Sequence, residues 1–200
     1  MDEKGRIIDG DRVLCICGKY LKDIGKLAEG KITATVMSNI GLHKYLEQHG
    51  IDVDVTKVGD RYVLESMLQT GSVLGGEQSG HMIFLDYTTT GDGVLSSLQF
   101  MKAYLASGSK LSELRDEIHI YPQALVNAEV DNAYKQAALE DEEVKEFIGK
   151  VEAKLEGTGR VLIRPSGTEP LIRVMLEGED SEEIRGYAEQ IAELIHKKFG

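Results

Sequence analysis

The stretch ITATVMSNIGLHKYLEQHGIDVDVTKVGDRYVLESMLQ, residues 32–69, decides the fold. Ile32–Met37 is a short β-rich run that ends at Ser38-Asn39. Ile40–Gln48 then repeats apolar residues at helical intervals and stops at His49-Gly50, glycine being the usual C-terminal punctuation of a helix. Asp52–Val58 alternates Val53 and Val55 with polar neighbours, as a strand does, and Arg61–Gln69 reads helical before Thr70-Gly71. Strand, helix, strand, helix in so few residues makes a largely parallel sheet with helical crossovers the economical reading.

Upstream, Val13, Leu14, Cys17 and Leu21 recur at helical spacing, which predicts a helix over Asp11–Leu27 with Asp11 as its cap. Residues 2–12 read as a strand end and turn with nothing before them to pair with, so the chain is expected to begin inside something larger. Downstream, Val73–Tyr87 is a longer strand or a hairpin interrupted by Gly75-Gly76 and Gly80. Thr88–Gly93 is a polar loop, Val94–Leu105 a strongly apolar helix and Leu111–Ile118 a shorter one. The pattern changes near Tyr121-Pro122. Ala124–Val130 is strand-like, Glu140–Leu155 is a charged amphipathic helix, and Gly159–Ile163 and Leu171–Leu176 are strands flanking a seven-residue loop. Ser181–Phe199 closes the chain as a helix, with Ser181 and Glu182-Glu183 at its start and His196-Lys197-Lys198 at its end. The predicted fold class is therefore α/β: a three-layer, mainly parallel-sheet domain over residues 1–120, then a small α+β (β-α-β-β-α) domain over 121–200.

The 200 residues carry 23 Lys plus Arg against 34 Asp plus Glu, a net charge of −11. That balance argues against a nucleic acid or an anionic membrane as the main partner, because a face that binds phosphates broadly needs a positive field. Any phosphate must be held locally. No apolar run approaches the ~20 residues of a membrane span, and Met1-Asp2-Glu3-Lys4 lacks the apolar segment of a signal peptide. Cys15 and Cys17 are too few and too close for a disulfide framework, which points to a reducing, cytoplasmic compartment.

Two stretches could carry chemistry. In an extended chain, Glu77, Ser79 and His81 of Gly75-Gly76-Glu77-Gln78-Ser79-Gly80-His81 share one face, which continues into Ile83 and Leu85. A carboxylate, a hydroxyl and an imidazole in a row suit a polyhydroxylated ligand, since they accept, donate and exchange protons near neutrality. The same residues also fit a glycine-rich hairpin with a solvated face. In Arg164-Pro165-Ser166-Gly167-Thr168-Glu169-Pro170, a guanidinium, two hydroxyls and a glycine lie within five residues, the combination that holds an anion on converging N–H groups, and Arg173 follows nearby. Proline and glycine at an ordinary hairpin connection are the competing explanation. Val58-Gly59-Asp60-Arg61 closes a strand and opens a helix, where ligands gather in parallel sheets. Thr90-Gly91-Asp92-Gly93 is weaker, with Asp92 read mainly as a helix N-terminal signal. Asp9-Gly10-Asp11 offers a hard cation too few ligands, and Cys15 and Cys17 fall on different sides of a helix; both pairs are read as structural.

Residues 76–81 and 164–170 together resemble the sugar-recognition and phosphate-binding loops of the phosphohexomutase superfamily, most closely its branch acting on glucosamine phosphates. Lys57-Val58-Gly59-Asp60-Arg61-Tyr62-Val63 is a third matching segment. The resemblance covers nearly the whole chain and corresponds to the third and fourth of the family's four domains. It implies the C-terminal half of an isomerase that interconverts glucosamine 6-phosphate and glucosamine 1-phosphate through glucosamine 1,6-bisphosphate, a step towards UDP-N-acetylglucosamine and cell-wall precursors. By resemblance Gly76, Glu77, Ser79, Gly59, Asp60 and Arg61 bind the sugar and His81 lies at the reacting end as the catalytic residue. Arg164, Ser166, Gly167, Thr168 and Arg173 hold the phosphate that is not reacting. The family's phosphoserine loop and three-aspartate Mg²⁺ loop have no counterpart: Asp9-Gly10-Asp11-Arg12 mimics the latter but lacks the third aspartate. The expected partners are thus a phosphosugar and the N-terminal domains of the same enzyme, with a homodimer left open and the half alone inactive. The alternatives are a phosphomannomutase or phosphoglucomutase half, or a non-catalytic phosphosugar-binding module.

Overall fold

Strand β1 (Lys31–Thr35) pairs in parallel with β2 (Asp52–Thr56) along its whole length, Lys31 opposite Asp52 and Thr35 opposite Thr56. The computed structural model describes residues 1–200, in which Met1–Ile120 and Tyr121–Gly200 form two units. In the first, the strand order is β2-β1-β3-β4, with β3 (Leu74–Gly76) parallel to β1 and β4 (Met82–Phe84) antiparallel to β3. The sheet is therefore parallel-rich with one antiparallel edge.

Its two faces are covered by different helices. Alternation along β4 makes the division: Met82 and Phe84 join the large core with Leu14, Ile32, Leu42 and Leu46, whereas Ile83 packs with Val63 and Met67. The large core is built on α1 (Gly10–Asp23), α2 (Ile40–Gln48), α4 (Gly93–Ser107) and α5 (Leu111–Glu117); the smaller one lies under α3 (Asp60–Thr70). Helix α4 is apolar almost all round, yet Ala103 is its one buried residue, and Val94, Leu98, Met101 and Leu105 are exposed.

The cap of α1 differs from expectation. Asp9 caps it, accepting from the Arg12 N–H at 3.0 Å. Asp11 lies inside the first turn, fully buried, and its Oδ2 accepts from the Asn39 N–H at 2.8 Å, where Asn39 in turn caps α2. A carboxylate that would otherwise be solvated thus ties the starts of two helices together.

In the second unit β7 (Leu171–Glu177) lies between β5 (Gln123–Glu129) and β6 (Arg160–Pro165), antiparallel to both. Ile172, Val174 and Leu176 point to the core, where Ile184, Ala188, Ile191 and Ile195 of α8 (Ser181–Phe199) meet them at helical spacing. The helix predicted over Glu140–Leu155 is two: α6 (Lys135–Glu140) and α7 (Glu142–Lys154), because Asp141 is extended and turns its carboxylate to the Val144 N–H at 3.1 Å. Asp180 rather than Ser181 caps α8, accepting from Glu182 and Glu183. Strand β6 runs on to Pro165, so Arg164 belongs to the strand and the connecting loop is shorter than the expected seven residues.

Candidate functional site

Glu77, Ser79 and His81 do not form an extended row. The chain turns between β3 and β4: the Gly80 N–H donates to the Glu77 carbonyl at 2.9 Å, and the Glu77 N–H donates to the His81 carbonyl at 3.0 Å. Glu77 and His81 therefore face each other across a hairpin and share a side through cross-strand pairing, with Ser79 exposed at the tip. Gly75 and Gly76 stay in β3, and Gly80, with φ +98°, lets the chain turn back over residues 77–80, which overrides the period-two reading.

That side of the hairpin meets the start of α3. The Glu77 Oε1 accepts from the Gly59 N–H at 3.0 Å, supplying the N-terminal carboxylate that a glycine at the cap cannot. His81 Nε2 lies 3.6 Å from the Asp60 carboxylate, an ion-pair distance rather than a hydrogen bond. Arg61 turns away and pairs with Glu65 at 2.8 Å. Gly76 is buried beneath the turn, in contact with Met82. Two further loops support the cluster. The Gly10 N–H donates to the Gln78 carbonyl at 3.0 Å, and a Cβ there would fall 2.3 Å from the Glu77 carbonyl oxygen. Gly91 packs on the His81 ring so closely that a Cβ would lie 2.3 Å from Nε2. Ser79, His81, Gly91, Asp92 and Ser96 line an open cavity of about 410 Å³. Asp92 caps α4, accepting from Val94 and Leu95 at 2.9 Å.

In the second unit, Arg164 and Arg173 are register partners on β6 and β7. Directly opposed like charges destabilise an antiparallel ladder. Four positions away the same ladder sets Arg160 opposite Glu177, and there the pair closes at 2.7 Å with the carboxylate fully buried. Arg173 is partly neutralised by Glu169 at 2.8 Å, while Arg164 makes no ion pair. Between them the loop folds on Ser166, whose N–H donates to the Leu171 carbonyl at 2.9 Å and whose Oγ accepts from the Glu169 N–H at 3.2 Å. The Gly167 and Thr168 N–H groups donate to no protein acceptor and both residues are exposed. Two free donors and two guanidinium groups within one loop and its flanking strands are the kind of donor set that anions are held by.

Sequence reasoning missed Lys135 beneath this loop. It is 8% exposed, and its Nζ donates to the carbonyls of Ser166 at 2.7 Å and Glu169 at 2.5 Å. Nothing in Asn132-Ala133-Tyr134-Lys135-Gln136 marks one lysine as buried, and its partners lie more than thirty residues on.

No three or more His, Cys, Asp or Glu side chains gather as a metal site. The Asp9 carboxylate is taken up by Arg12 and the Asp11 carboxylate by the Asn39 N–H, so these residues do not fit the Mg²⁺ of the resembling family.

The sequence profile of the phosphoglucomutase/phosphomannomutase alpha/beta/alpha domain III matches residues 9–121, and that of the same family's C-terminal domain matches residues 125–194. The chain belongs to the phosphoglucomutase/phosphomannomutase family. Within it, the chain is 52% identical over 200 residues to the phosphoglucosamine mutase of Streptococcus gordonii and 54% identical over 199 residues to that of Caldicellulosiruptor bescii. Each alignment takes in all of this chain and 44% of the relative, so the chain spans less than half the length of the curated mutases it matches. Among solved structures, Aspergillus fumigatus N-acetylphosphoglucosamine mutase in complex with GlcNAc-6P and magnesium superposes with a TM-score of 0.79 at 19% identity, covering all of this chain and 46% of that one. An N-acetylglucosamine-phosphate mutase in its substrate complex gives 0.72 at 22%, covering 94% of this chain and 44% of that one. At such identities the likeness is one of fold. In family terms the hairpin, Gly59 and Gly91 fall in domain III, and Lys135, Arg164 and Arg173 fall in the C-terminal domain.

Proposed function

We propose that this chain is the sugar-reading and phosphate-holding part of a phosphoglucosamine mutase, an isomerase that interconverts glucosamine 6-phosphate and glucosamine 1-phosphate through glucosamine 1,6-bisphosphate. The observation that carries the reading is the opposed pair Arg164 and Arg173 beside the free N–H groups of Gly167 and Thr168. A ladder that sets two cations face to face is reconciled with stability by an anion between them. The identity of half the residues with curated phosphoglucosamine mutases supports the amino-sugar substrate over glucose or mannose phosphates.

Phosphoryl transfer is dominated by positioning and electrostatics, and those are the roles assigned here. Arg164, Ser166, Gly167, Thr168 and Arg173 hold the non-reacting phosphate. Backbone donors and guanidinium groups recognise the anion and not the carbon that bears it, so either end of a turning bisphosphate can be held. Glu77 keeps one carboxylate oxygen for Gly59, which fixes the side chain, and offers the other to a sugar hydroxyl. Ser79 at the tip serves a second hydroxyl, with the backbone at Gly76, Gly59, Asp60 and Arg61 shaping the sugar side. His81, held between Asp60 and Gly91, faces the reacting end. The phosphoseryl and Mg²⁺ loops are assigned to other domains of the enzyme, and no bond-breaking step is assigned to this chain.

A cytoplasmic location fits Cys15 and Cys17, which are free and buried, the Cys17 thiol being pushed up to about 12 by burial. No helix is long and apolar enough to cross a membrane. Calorimetric titration with glucosamine 6-phosphate and with glucosamine tests the reading. Binding of the phosphate ester only, lost in Arg164→Ala, supports it; equal binding of both ligands, or an unchanged Arg164→Ala, refutes it. A mutase assay of this chain without the other domains is expected to show no turnover.

A further inference from the structure

We propose that Lys135 is a positioning residue that holds residues 166–170 in the shape that receives phosphate; this rests on the phosphate-holding reading above. A lysine 8% exposed, with no carboxylate paired to it, is costly to bury unless its donors are used. Both of its hydrogen-bond partners are carbonyls of this one loop, Ser166 at 2.7 Å and Glu169 at 2.5 Å.

The planar trans peptide gives that choice a consequence. The carbonyl of one residue and the N–H of the next point in opposite directions. Drawing the Ser166 carbonyl inward onto the ammonium turns the Gly167 N–H outward, and it is one of the two donors without a protein acceptor. The carbonyl of Glu169 is drawn inward by the same ammonium, and the next residue, Pro170, has no N–H to lose. Two oxygens that would repel an anion are thereby removed from the loop's outer side, and a positive charge is fixed beneath it. Ser166 Oγ and the Glu169 N–H close the turn from within. Arg164 and Arg173 attract the anion, while Lys135 arranges the backbone that grips it.

The test uses the full 200-residue chain, ¹⁵N-labelled and titrated with inorganic phosphate, as wild type and as Lys135→Met, Lys135→Gln and Lys135→Arg. In the wild type the Gly167 and Thr168 amide signals move with phosphate. Lys135→Met is expected to weaken the apparent affinity about tenfold, and Lys135→Arg, which keeps the charge and several donors, to return it to within about threefold. Lys135→Gln, a donor without charge, falls between them. Equal affinity in Lys135→Met and wild type overturns the proposal while leaving the phosphate site standing. Should Lys135→Met lose the β6–β7 amide dispersion, equal affinities of the Gln and Arg variants overturn it instead. A wild-type chain whose loop amides ignore phosphate refutes the phosphate reading itself, and the role of Lys135 with it.

Discussion

Replacing Arg164 by threonine is expected to stabilise the phosphate-free second unit and to abolish its response to phosphate. Arg164 and Arg173 sit directly opposite on β6 and β7, Arg164 has no ion pair, and Arg173 is only partly offset by Glu169. Two like unit charges held a few ångströms apart in a water-like dielectric repel by about 0.6–1 kcal/mol, the same scale as cross-strand pair energies of about 0.2–1 kcal/mol, and the lower figure of about 0.6 kcal/mol is taken for these exposed guanidinium groups. Threonine keeps the β-branched preference for a strand, so the substitution removes the charge without weakening the backbone. Amide hydrogen exchange of β6 and β7 reads this unit directly, and 0.6 kcal/mol corresponds to about threefold slower exchange at low ionic strength. Adding phosphate at ten times its dissociation constant should slow wild-type exchange by a further factor of about ten, through binding to the folded state alone. The variant should not respond. Faster exchange in phosphate-free Arg164→Thr would refute the idea that the pair is a standing repulsion, and a retained phosphate response would refute the site.

The same ladder gives the opposite result four positions away: Arg160→Ala leaves the fully buried Glu177 carboxylate without its guanidinium, and urea unfolding of the second unit should show a loss of about 3 kcal/mol; a change below 1 kcal/mol would show that the pair contributes little. Gly91→Ala drives a Cβ into the His81 ring, so the His81 imidazole signals should shift and the first unit should lose about 1–3 kcal/mol; unmoved signals would mean the loop yields instead. The Lys198 ammonium, bonded at 2.6 Å, and then the Val144 N–H hold the Asp141 carboxyl below the usual carboxylate range. The unfolded chain takes up that proton more readily, so the stabilisation is complete above the ordinary carboxylate value and is lost as the pH falls through the depressed folded one. Asp141→Asn should flatten this acid limb in a series of urea midpoints against pH, and an unaltered limb would place it elsewhere.

Periodicity made the elements of both units legible because each buries one face: α2 and α8 span the predicted Ile40–Gln48 and Ser181–Phe199, and β1, β2 and α3 deviate by a residue or two. It failed where backbone geometry competes with side-chain pattern. Residues 75–81 alternate as a strand does, but Gly80 lets the chain turn after Gly76, and Glu77 meets His81 across the hairpin rather than along it. Asp11 reads as a cap because local sequence cannot show that its carboxylate will be claimed by Asn39 from another helix. Composition marked residues 164–170 as a candidate anion loop, with arginine, serine, glycine and threonine within five residues, beside the competing reading of an ordinary hairpin connection. What composition could not show is that Arg164 lies in the strand opposite Arg173, for register is set only when β6 and β7 pair. Lys135 was invisible for the same reason. These are the two places in the second unit where ordinary rules are broken, one by opposed like charges and one by a buried lysine without a carboxylate, and both breaches converge on residues 164–173. Stability alone selects neither, whereas the proposed phosphate site would account for both: an anion there neutralises the opposed guanidinium charges and uses the donor that Lys135 is proposed to turn outward.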